Sequence, residues 1–225
     1  MKLRLFYCLF AMLLSSLGAS AIELQATYID KEGMQTTTSQ SFTADAPLHV
    51  HFTYDASSLT DGTTTEWHIR HQNSGTNITR YDTELDFEFT EAGLNIISLW
   101  VRQGNEVVDS ASIGITITES HLEMPNAFSP NGDGINDIYQ AKSNYKSIIE
   151  FHAYIFNRHG QKLYEWSDWT SPDKGWDGTY HGSPVKDGVY YVYVKARGAD
   201  GIEYNIRRDV NLIRHFNVVT TNSNE

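Results

Sequence analysis

Four oxygen-bearing side chains in one loop have the spacing of a calcium site. Ser129, Asn131, Asp133 and Asp137 surround Gly134. Oxygen ligands at alternating positions, followed by a glycine and a further carboxylate, can wrap a calcium ion. The same residue types also form tight turns, in which Asn and Asp side chains accept hydrogen bonds from backbone amides. With only two carboxylates present, the turn is the preferred interpretation, and calcium stays open as an alternative.

Histidines offer a second kind of metal chemistry. His49 and His51 fall on one face of a predicted strand, and His68 and His71 lie close together in sequence. Zinc requires three or four protein ligands, and the sequence does not locate the third. Histidines on an outward strand face are the commoner case, so we predict no metal cofactor.

Acid–base catalysis has one candidate pair. Asp86 and Glu88 are same-face strand neighbours about 7 Å apart, a separation found between the carboxyl groups of inverting glycosidases. Phe87 and Phe89 alternate with them, which indicates the solvent side of a half-buried strand. The sequence contains no metalloprotease, nucleophile-elbow or phosphate-binding motif. We therefore predict a protein that is not an enzyme.

Strands are the elements that must position these side chains. Apolar residues alternate with polar ones, which is the period of a half-buried strand, and turn signals such as Asp61-Gly62 separate the runs. The alternating runs are Leu48 to Tyr54, Leu85 to Phe89, Ile97 to Val101 and Ile113 to Ile117. Short strands at such spacing predict an antiparallel β-sandwich.

The N-terminus has the features of a secretory signal peptide. Lys2 and Arg4 precede an apolar run, Leu5 to Leu17, and small residues follow up to Ala21. The only cysteine, Cys8, lies in this segment, so we expect neither disulfides nor cysteine-ligated zinc in the mature chain.

Charge divides the remaining chain into two parts. Residues 22–120 carry 15 acidic and 4 basic side chains, whereas residues 121–225 carry 13 acidic and 11 basic ones. An acidic surface repels nucleic acid and anionic lipid, so neither is an expected partner.

No apolar run after residue 21 approaches the roughly 20 residues of a transmembrane helix. The late arginines Arg197, Arg207, Arg208 and Arg214 predict a small positive edge.

The second half contains two predicted hairpins and two aspartate–glycine turns. One hairpin turns at Asn157 to Gly160, and the other at Gly198 to Gly201. In Trp176-Asp177-Gly178 we expect the tryptophan to pack under the sheet, the aspartate to accept from the following amides and the glycine to adopt a positive φ. Asp187-Gly188 is expected to repeat this turn.

Four strings of this half together resemble a known family. They are PNAFSPNGDGINDIY from Pro125, IFNRHGQKLYEW from Ile155, WDG from Trp176 and VKDGVYYVYV from Val185. In this order they are similar to the type B C-terminal sorting domain of the type IX secretion system, also called the gliding-motility-associated C-terminal domain. The matching positions are Pro125, Phe128, Pro130, Asn131, Gly132, Asp133, Gly134, Asn136, Asp137, Phe156, Asn157, Arg158, Gly160, Trp176, Asp177, Gly178, Asp187, Gly188, Tyr190, Leu212 and Arg214. His159 stands where the family has tryptophan.

This resemblance implies a function. Such a domain directs its cargo, after passage into the periplasm, across the outer membrane to the cell surface or medium. The implied partners are the outer-membrane type IX secretion machinery and a dedicated outer-membrane partner protein. The implied source of such a system is a member of the Bacteroidota.

The first half resembles a polycystic-kidney-disease (PKD)-type immunoglobulin-like domain. The resemblance rests on Ala46 to Ile69, with Trp67 as the buried tryptophan, and on Phe89 to Val101 with its Ala92-Gly93 turn. We therefore expect an all-β chain with two consecutive Ig-like antiparallel sandwiches. The predicted parts are residues 1–21, a signal peptide; 22–120, the passenger; 121–214, the sorting domain; and 215–225, a polar tail.

Two functions follow from these expectations. The first is a non-enzymatic exported protein whose passenger is adhesive or scaffolding, with a protein or glycan as ligand. The alternative is a carbohydrate-binding cell-surface module, in which exposed tryptophans such as Trp169 stack on sugar rings.

Overall fold

The computed structural model describes residues 22–31, 33–170 and 174–214. The predicted signal peptide and polar tail lie outside these residues. Sixteen strands and one short 3-10 helix (Ala56–Ser58) make up the described secondary structure. The strands are β1 (Leu24–Ile29), β2 (Gln35–Thr38), β3 (Phe42–Ala44), β4 (Leu48–Tyr54), β5 (Thr63–His71), β6 (Asn77–Arg80), β7 (Leu85–Phe89), β8 (Gly93–Gln103), β9 (Glu106–Ile117), β10 (Ala127–Phe128), β11 (Ile148–Phe156), β12 (Lys162–Trp166), β13 (Thr179–Tyr180), β14 (Ser183–Pro184), β15 (Gly188–Gly198) and β16 (Glu203–Leu212).

The first module, formed by β1 to β9, is a sandwich of two sheets. One sheet has the order β2-β1-β4-β7 and the other the order β3-β9-β8-β5-β6. All pairs are antiparallel except β3 with β9. The predicted alternation is confirmed, since Leu48, Val50 and Phe52 are buried while His49 faces outward.

Trp67 is the centre of this sandwich. It is fully buried on β5, lies 6.2 Å from the Phe52 ring of the opposite sheet, and donates from Nε1 to the Asp82 carbonyl oxygen at 2.9 Å. An indole in an apolar core needs such a partner because an unpaired N–H would be costly. The predicted buried tryptophan is thus confirmed, within an Ig-like sandwich.

The second module has one five-stranded sheet with the order β10-β16-β15-β11-β12. Its inner face is apolar, with Ile155, Val192 and Val210 buried. The loops that carry Tyr139 and Trp176 pack on this face and complete the core, and the β13–β14 hairpin follows Trp176. The all-β prediction is confirmed, and none of the described residues forms a helix able to cross a membrane.

The two modules are joined through Ser147, which is 1% exposed and has a φ of 45°. Its Oγ accepts from the Ala46 N–H at 3.1 Å and lies 2.8 Å from Thr118 Oγ1. Its carbonyl oxygen accepts from the Ala199 N–H at 2.9 Å, and Ala199 itself packs in the core of the first module. One residue therefore bonds to both modules and to the segment between them.

Candidate functional site

Three of the four motif strings meet in an aromatic cluster. The Phe128 ring lies 5.3 Å from Trp176 and 5.5 Å from Tyr139, and Trp176 lies 4.9 Å from Tyr190. Tyr139 and Trp176 also exchange two backbone hydrogen bonds, of 2.8 and 3.0 Å. The cluster therefore fixes the loop after β10 against the loop before β13.

Arg214 connects the end of β16 to two further turns. Its Nη2 donates to the Gly178 carbonyl oxygen at 2.7 Å, and its Nη1 donates to the Val185 carbonyl oxygen. Gly178 has a φ of 77°, and a Cβ there would lie 2.8 Å from Arg214 Nη2 and 2.9 Å from Pro130 Cγ. Glycine at this position allows three loops to meet.

The two aspartate–glycine turns differ. As predicted, Asp177 Oδ1 accepts from the Thr179 amide at 2.9 Å and from its hydroxyl at 2.8 Å. Asp187 accepts from Arg214, with its Oδ2 2.8 Å from the backbone nitrogen and its Oδ1 3.2 Å from Nη1. It anchors the end of β16 to the start of β15.

Asp137 organises the loop that was the calcium candidate. Its Oδ1 accepts from the amides of Asn131 at 2.9 Å and Gly132 at 2.7 Å, and its Oδ2 from Gly134 at 2.7 Å. The amides of Gly132 and Gly134 lower the pKa of Asp137 because they stabilise the charged carboxylate.

A calcium ion would compete with these bonds. Asn131 Oδ1 accepts from the Asp133 amide, and Asp133 Oδ1 from the Ile135 amide. Ser129 Oγ donates to the Ile135 carbonyl oxygen. Among the described residues, no group of three or more His, Cys, Asp or Glu side chains is arranged to hold a metal ion. The geometry fits the hydrogen-bonded turn, which is the preferred interpretation, and a calcium ion would require the turn to be remade. Calcium stays the open alternative.

The Asn157 to Gly160 turn closes the β11–β12 hairpin as predicted. Asn157 Oδ1 accepts from the amides of His159 at 2.9 Å and Gln161 at 3.0 Å, and Gly160 has a φ of 78°. Gln161 Nε2 donates to Tyr180 Oη at 3.0 Å, which links this turn to the β13–β14 hairpin.

All four strings lie at one end of the five-stranded sheet. Strand register places Phe128 beside Leu212, Leu212 beside Gly188, and Tyr191 beside Phe156. We call this region the motif end, and its exposed motif residues are Asn131, Gly132, Asp133, Gly134, Asn136, Arg158, Gly160, Asp177, Asp187 and Gly188. The opposite end of β11 and β15, at Ile148 and Gly198, is next to the first module.

The predicted positive edge is wrong, because the late arginines point in different directions. Arg208 donates to the Met124 carbonyl oxygen at 2.6 Å, and Arg214 binds the turns described above. Arg197 pairs with Glu150, and Arg207 lies 4.9 Å from the Tyr193 ring. Two of the four charges therefore hold loops in place.

The pair of His68 and His71 also separates. His68 faces Glu66 and Trp100 on the outer side of β5, whereas His71 is buried and hydrogen-bonded to the Ala92 carbonyl oxygen at 2.9 Å. They cannot share a site, because they lie on opposite faces of the strand.

His51 has the neighbours that the sequence could not locate. Its Nδ1 lies 3.0 Å from Asp86 Oδ1 and its Nε2 3.4 Å from Glu84 Oε2, while His49 Nε2 is 3.9 Å from Asp86. These groups are exposed. Asp86 and Glu88 lie opposite His51 and His49 on the solvent side of β7, as expected.

Sequence reasoning missed two residues at the junction. Ser147 gave no signal, since an isolated polar residue in a loop is ordinary. Gly198 was assigned only to a turn, yet a Cβ there would lie 2.1 Å from Ser120 Oγ. Ser120 in turn donates from its backbone N–H to Asp200 Oδ2 at 2.8 Å.

Comparison with known proteins supports this reading of the second module. Residues 122–205 match the family model described as the CHU_C type IX secretion signal domain. The match ends within β16, before Leu212 and Arg214. No curated protein matches the chain.

Three solved structures are similar in part. The mixed-linkage glucan utilization locus protein SGBP-B of Bacteroides ovatus, in complex with a mixed-linkage heptasaccharide, is 16% identical, with 78% of this chain and 43% of that chain covered and a TM-score of 0.26. A tetra-tandem repeat from the extending region of a large adhesion protein is 12% identical, with 88% and 69% covered and a TM-score of 0.28. The FN1–FN3 domains of chicken CNTN1 are 8% identical, with 81% and 70% covered and a TM-score of 0.30.

The chain spans less than half of the first of these structures, and such TM-scores carry no argument about ligand or activity. The family match is specific to the part of the chain that contains the motif end. By this match, the second module is similar to the CHU_C type IX secretion signal domain over residues 122–205.

Proposed function

We propose that residues 121–214 direct the chain across the outer membrane, to the cell surface or medium, by presenting the motif end to the type IX secretion machinery. The observation that carries this proposal is the convergence of four separated strings on one end of one sheet. A dedicated outer-membrane partner protein would bind there. Loops that are already fixed by Arg214 and Asp137 lose little conformational entropy on binding, which favours recognition of a folded surface.

The position of the motif end also supports this proposal. The passenger adjoins the other end of β11 and β15, so a partner can reach the motif loops without displacing the first module. We propose a non-enzymatic passenger with an adhesive or scaffolding role. Its support is the Ig-like sandwich, in which the candidate acid–base pair, Asp86 and Glu88, lies on an open strand face.

A carbohydrate-binding module is the second candidate function. Trp166 and Trp176 are buried in the core of the second module, whereas Trp169 is only half-buried. Of the tryptophans of this module, Trp169 is therefore the one with surface available for a sugar ring. This observation favours the second candidate, which is compatible with export.

Exposed motif residues offer the sharpest test of the secretion role. Deleting residues 122–214 would also remove Ala199 and Ile149, which pack against the core of the first module. Point variants avoid this damage. Asp133→Ala and Arg158→Ala change exposed side chains of the motif end, and Lys195→Ala is a matched exposed control on β15.

The assay is protease shaving of intact cells, with an antibody to residues 22–120, in secretion-competent and secretion-defective strains. We expect the unchanged chain and Lys195→Ala to be digested only in the competent strain, and the double variant Asp133→Ala/Arg158→Ala to be protected in both. Thermal unfolding of the purified variants controls for folding. Surface delivery of the double variant at the level of the control would refute recognition through the motif end.

A further inference from the structure

A cleft of about 480 Å³ lies where the two modules meet. Tyr28 and Asp45 of the first module line it, as do Tyr145 and Trp169 of the second. Clefts between domains are frequent ligand sites, because two walls supply more contacts than one surface. Neither the family match nor the proposed secretion role assigns a function to this cleft.

Hydrogen bonds fix the walls of the cleft. Lys31 Nζ lies 2.6 Å from Asp45 Oδ2 and donates to the Tyr145 carbonyl oxygen at 2.7 Å. Thr118 Oγ1 donates to Asp45 Oδ1 at 2.6 Å and contacts Ser147 Oγ at 2.8 Å. These bonds join both modules, so the cleft exists before any ligand arrives.

The cleft contains one lysine and two carboxylates, those of Asp30 and Asp45. Lys31 is paired with Asp45 and also lies 4.9 Å from the Tyr145 ring. An anionic ligand would find no unpaired cation there, and it would approach a module with 15 acidic and 4 basic side chains. Repulsion by that module disfavours anions.

Aromatic surface and unused polar groups remain for a neutral ligand. The hydroxyl groups of Tyr28 and Tyr145 and the indole N–H of Trp169 have no hydrogen-bond partner among the described residues. Sugar rings combine apolar C–H faces with hydroxyl groups, which matches aromatic side chains that carry polar atoms at their edge.

We propose that this cleft binds a neutral saccharide, with Trp169 as the stacking residue and Tyr145 as a hydrogen-bonding neighbour. The proposal rests on the second candidate function, carbohydrate binding, and is independent of the secretion role.

The outer face of the five-stranded sheet in the second module is a less suitable binding surface for a sugar. Tyr191 and Tyr193 face outward there, opposite in direction to Tyr190. Arg207 lies 4.9 Å and Lys195 5.7 Å from the Tyr193 ring, so cations occupy the space over its faces. Exposed Tyr191 on this face is therefore a suitable control position.

The experiment is isothermal titration calorimetry of a purified chain of residues 22–225. The probes are the neutral oligosaccharides cellohexaose, maltohexaose and mannohexaose, with a hyaluronan hexasaccharide as the anionic comparison. We expect saturable binding of at least one neutral probe. Trp169→Ala should weaken it at least tenfold, Trp169→Phe should weaken it less, and Tyr191→Ala should leave it unchanged.

Further outcomes decide the proposal. The Trp169 ring also lies 5.8 Å from the Phe151 ring, so its removal could affect folding, and thermal unfolding is measured for each variant. Tyr145→Ala should weaken binding independently of Trp169. Binding that survives both variants, binding of the anionic probe alone, or no binding of any neutral probe would overturn the proposal. None of these results depends on export, so failure here leaves the secretion role to its own test.

Discussion

Replacing Gly178 with alanine tests whether the motif end requires close contact between its loops. The new Cβ would lie 2.8 Å from Arg214 Nη2, 2.9 Å from Pro130 Cγ and 3.0 Å from Leu212 Cδ1. The backbone at this position also has a φ of 77°, which is unfavourable for alanine. Steric overlap of the Cβ and the unfavourable φ therefore both destabilise the Gly178→Ala variant.

Gly182 separates these two costs. Its φ is 74°, close to that of Gly178, but a Cβ there would meet no heavy atom within 4 Å. Gly182→Ala should lower the stability of the folded state by about 1–2 kcal/mol, which is the penalty for an L-residue in the left-handed region. Gly178→Ala should add about 1–3 kcal/mol for overpacking. The difference between the variants, about 1–3 kcal/mol, measures the contact alone.

Hydrogen–deuterium exchange with mass spectrometry can measure that difference within the full chain. A two-module protein need not unfold in one step, so a local measurement is preferable to a single melting temperature. Peptides from β15 and β16 should exchange roughly 5- to 150-fold faster in Gly178→Ala than in Gly182→Ala, since about 1.4 kcal/mol corresponds to a factor of ten. Equal exchange in the two variants would refute the reasoning.

Three further predictions concern the junction and the loops. Ser147→Ala leaves the Ala46 N–H without its acceptor and should lower the free energy of unfolding by about 1–3 kcal/mol. The control Ser143→Ala changes an exposed side chain and should leave that free energy unchanged, and urea unfolding compares the two variants. Amide hydrogen bonds lower the pKa of Asp137 in the folded state, so its stabilisation should be present above the unfolded pKa of about 3.9 and be lost as the pH falls through the folded pKa. Thermal unfolding across that range should therefore show a smaller acid dependence in Asp137→Asn, and an unchanged dependence would contradict this role. Trp176→Ala removes a fully buried ring and should lower the free energy of unfolding by about 3–5 kcal/mol. Hydrogen exchange should become faster in β15 and β16 but not in β5. A uniform increase across the chain would contradict separate cores in the two modules.

Alternation was sufficient to predict β4, β7 and parts of β8 and β9, together with their inward faces. Val50 and Phe52 are buried and His49 is exposed because successive side chains of a strand point to opposite sides. The same rule requires Tyr190 and Tyr191 to face opposite sides of β15, and the structure places Tyr190 inward. These predictions use only neighbours in sequence, and local geometry settles them.

Contacts between distant residues could not be predicted in the same way. Arg214 reaches Gly178 across 36 positions, and His51 reaches Asp86 across 35. Both contacts depend on strand register and loop length, which alternation does not encode. For this reason the late arginines were grouped as one edge, although the folded chain points Arg208 and Arg214 toward carbonyl oxygens of its own loops.

The motif residues separate into two groups with different physical roles. Phe128, Trp176 and Gly178 are buried, and their variants change how the motif end folds. Asp133 and Arg158 are exposed and lie outside the core, so their variants change the surface that a partner meets and, at Asp133, the hydrogen bonds of one loop. If secretion depends on a folded surface, then the buried variants should lose export in proportion to their loss of stability, while the exposed variants lose export with stability unchanged. A short linear signal would give the opposite pattern, because export would then survive unfolding of the sheet. Measuring export and hydrogen exchange on the same set of variants therefore distinguishes a folded address from a linear one.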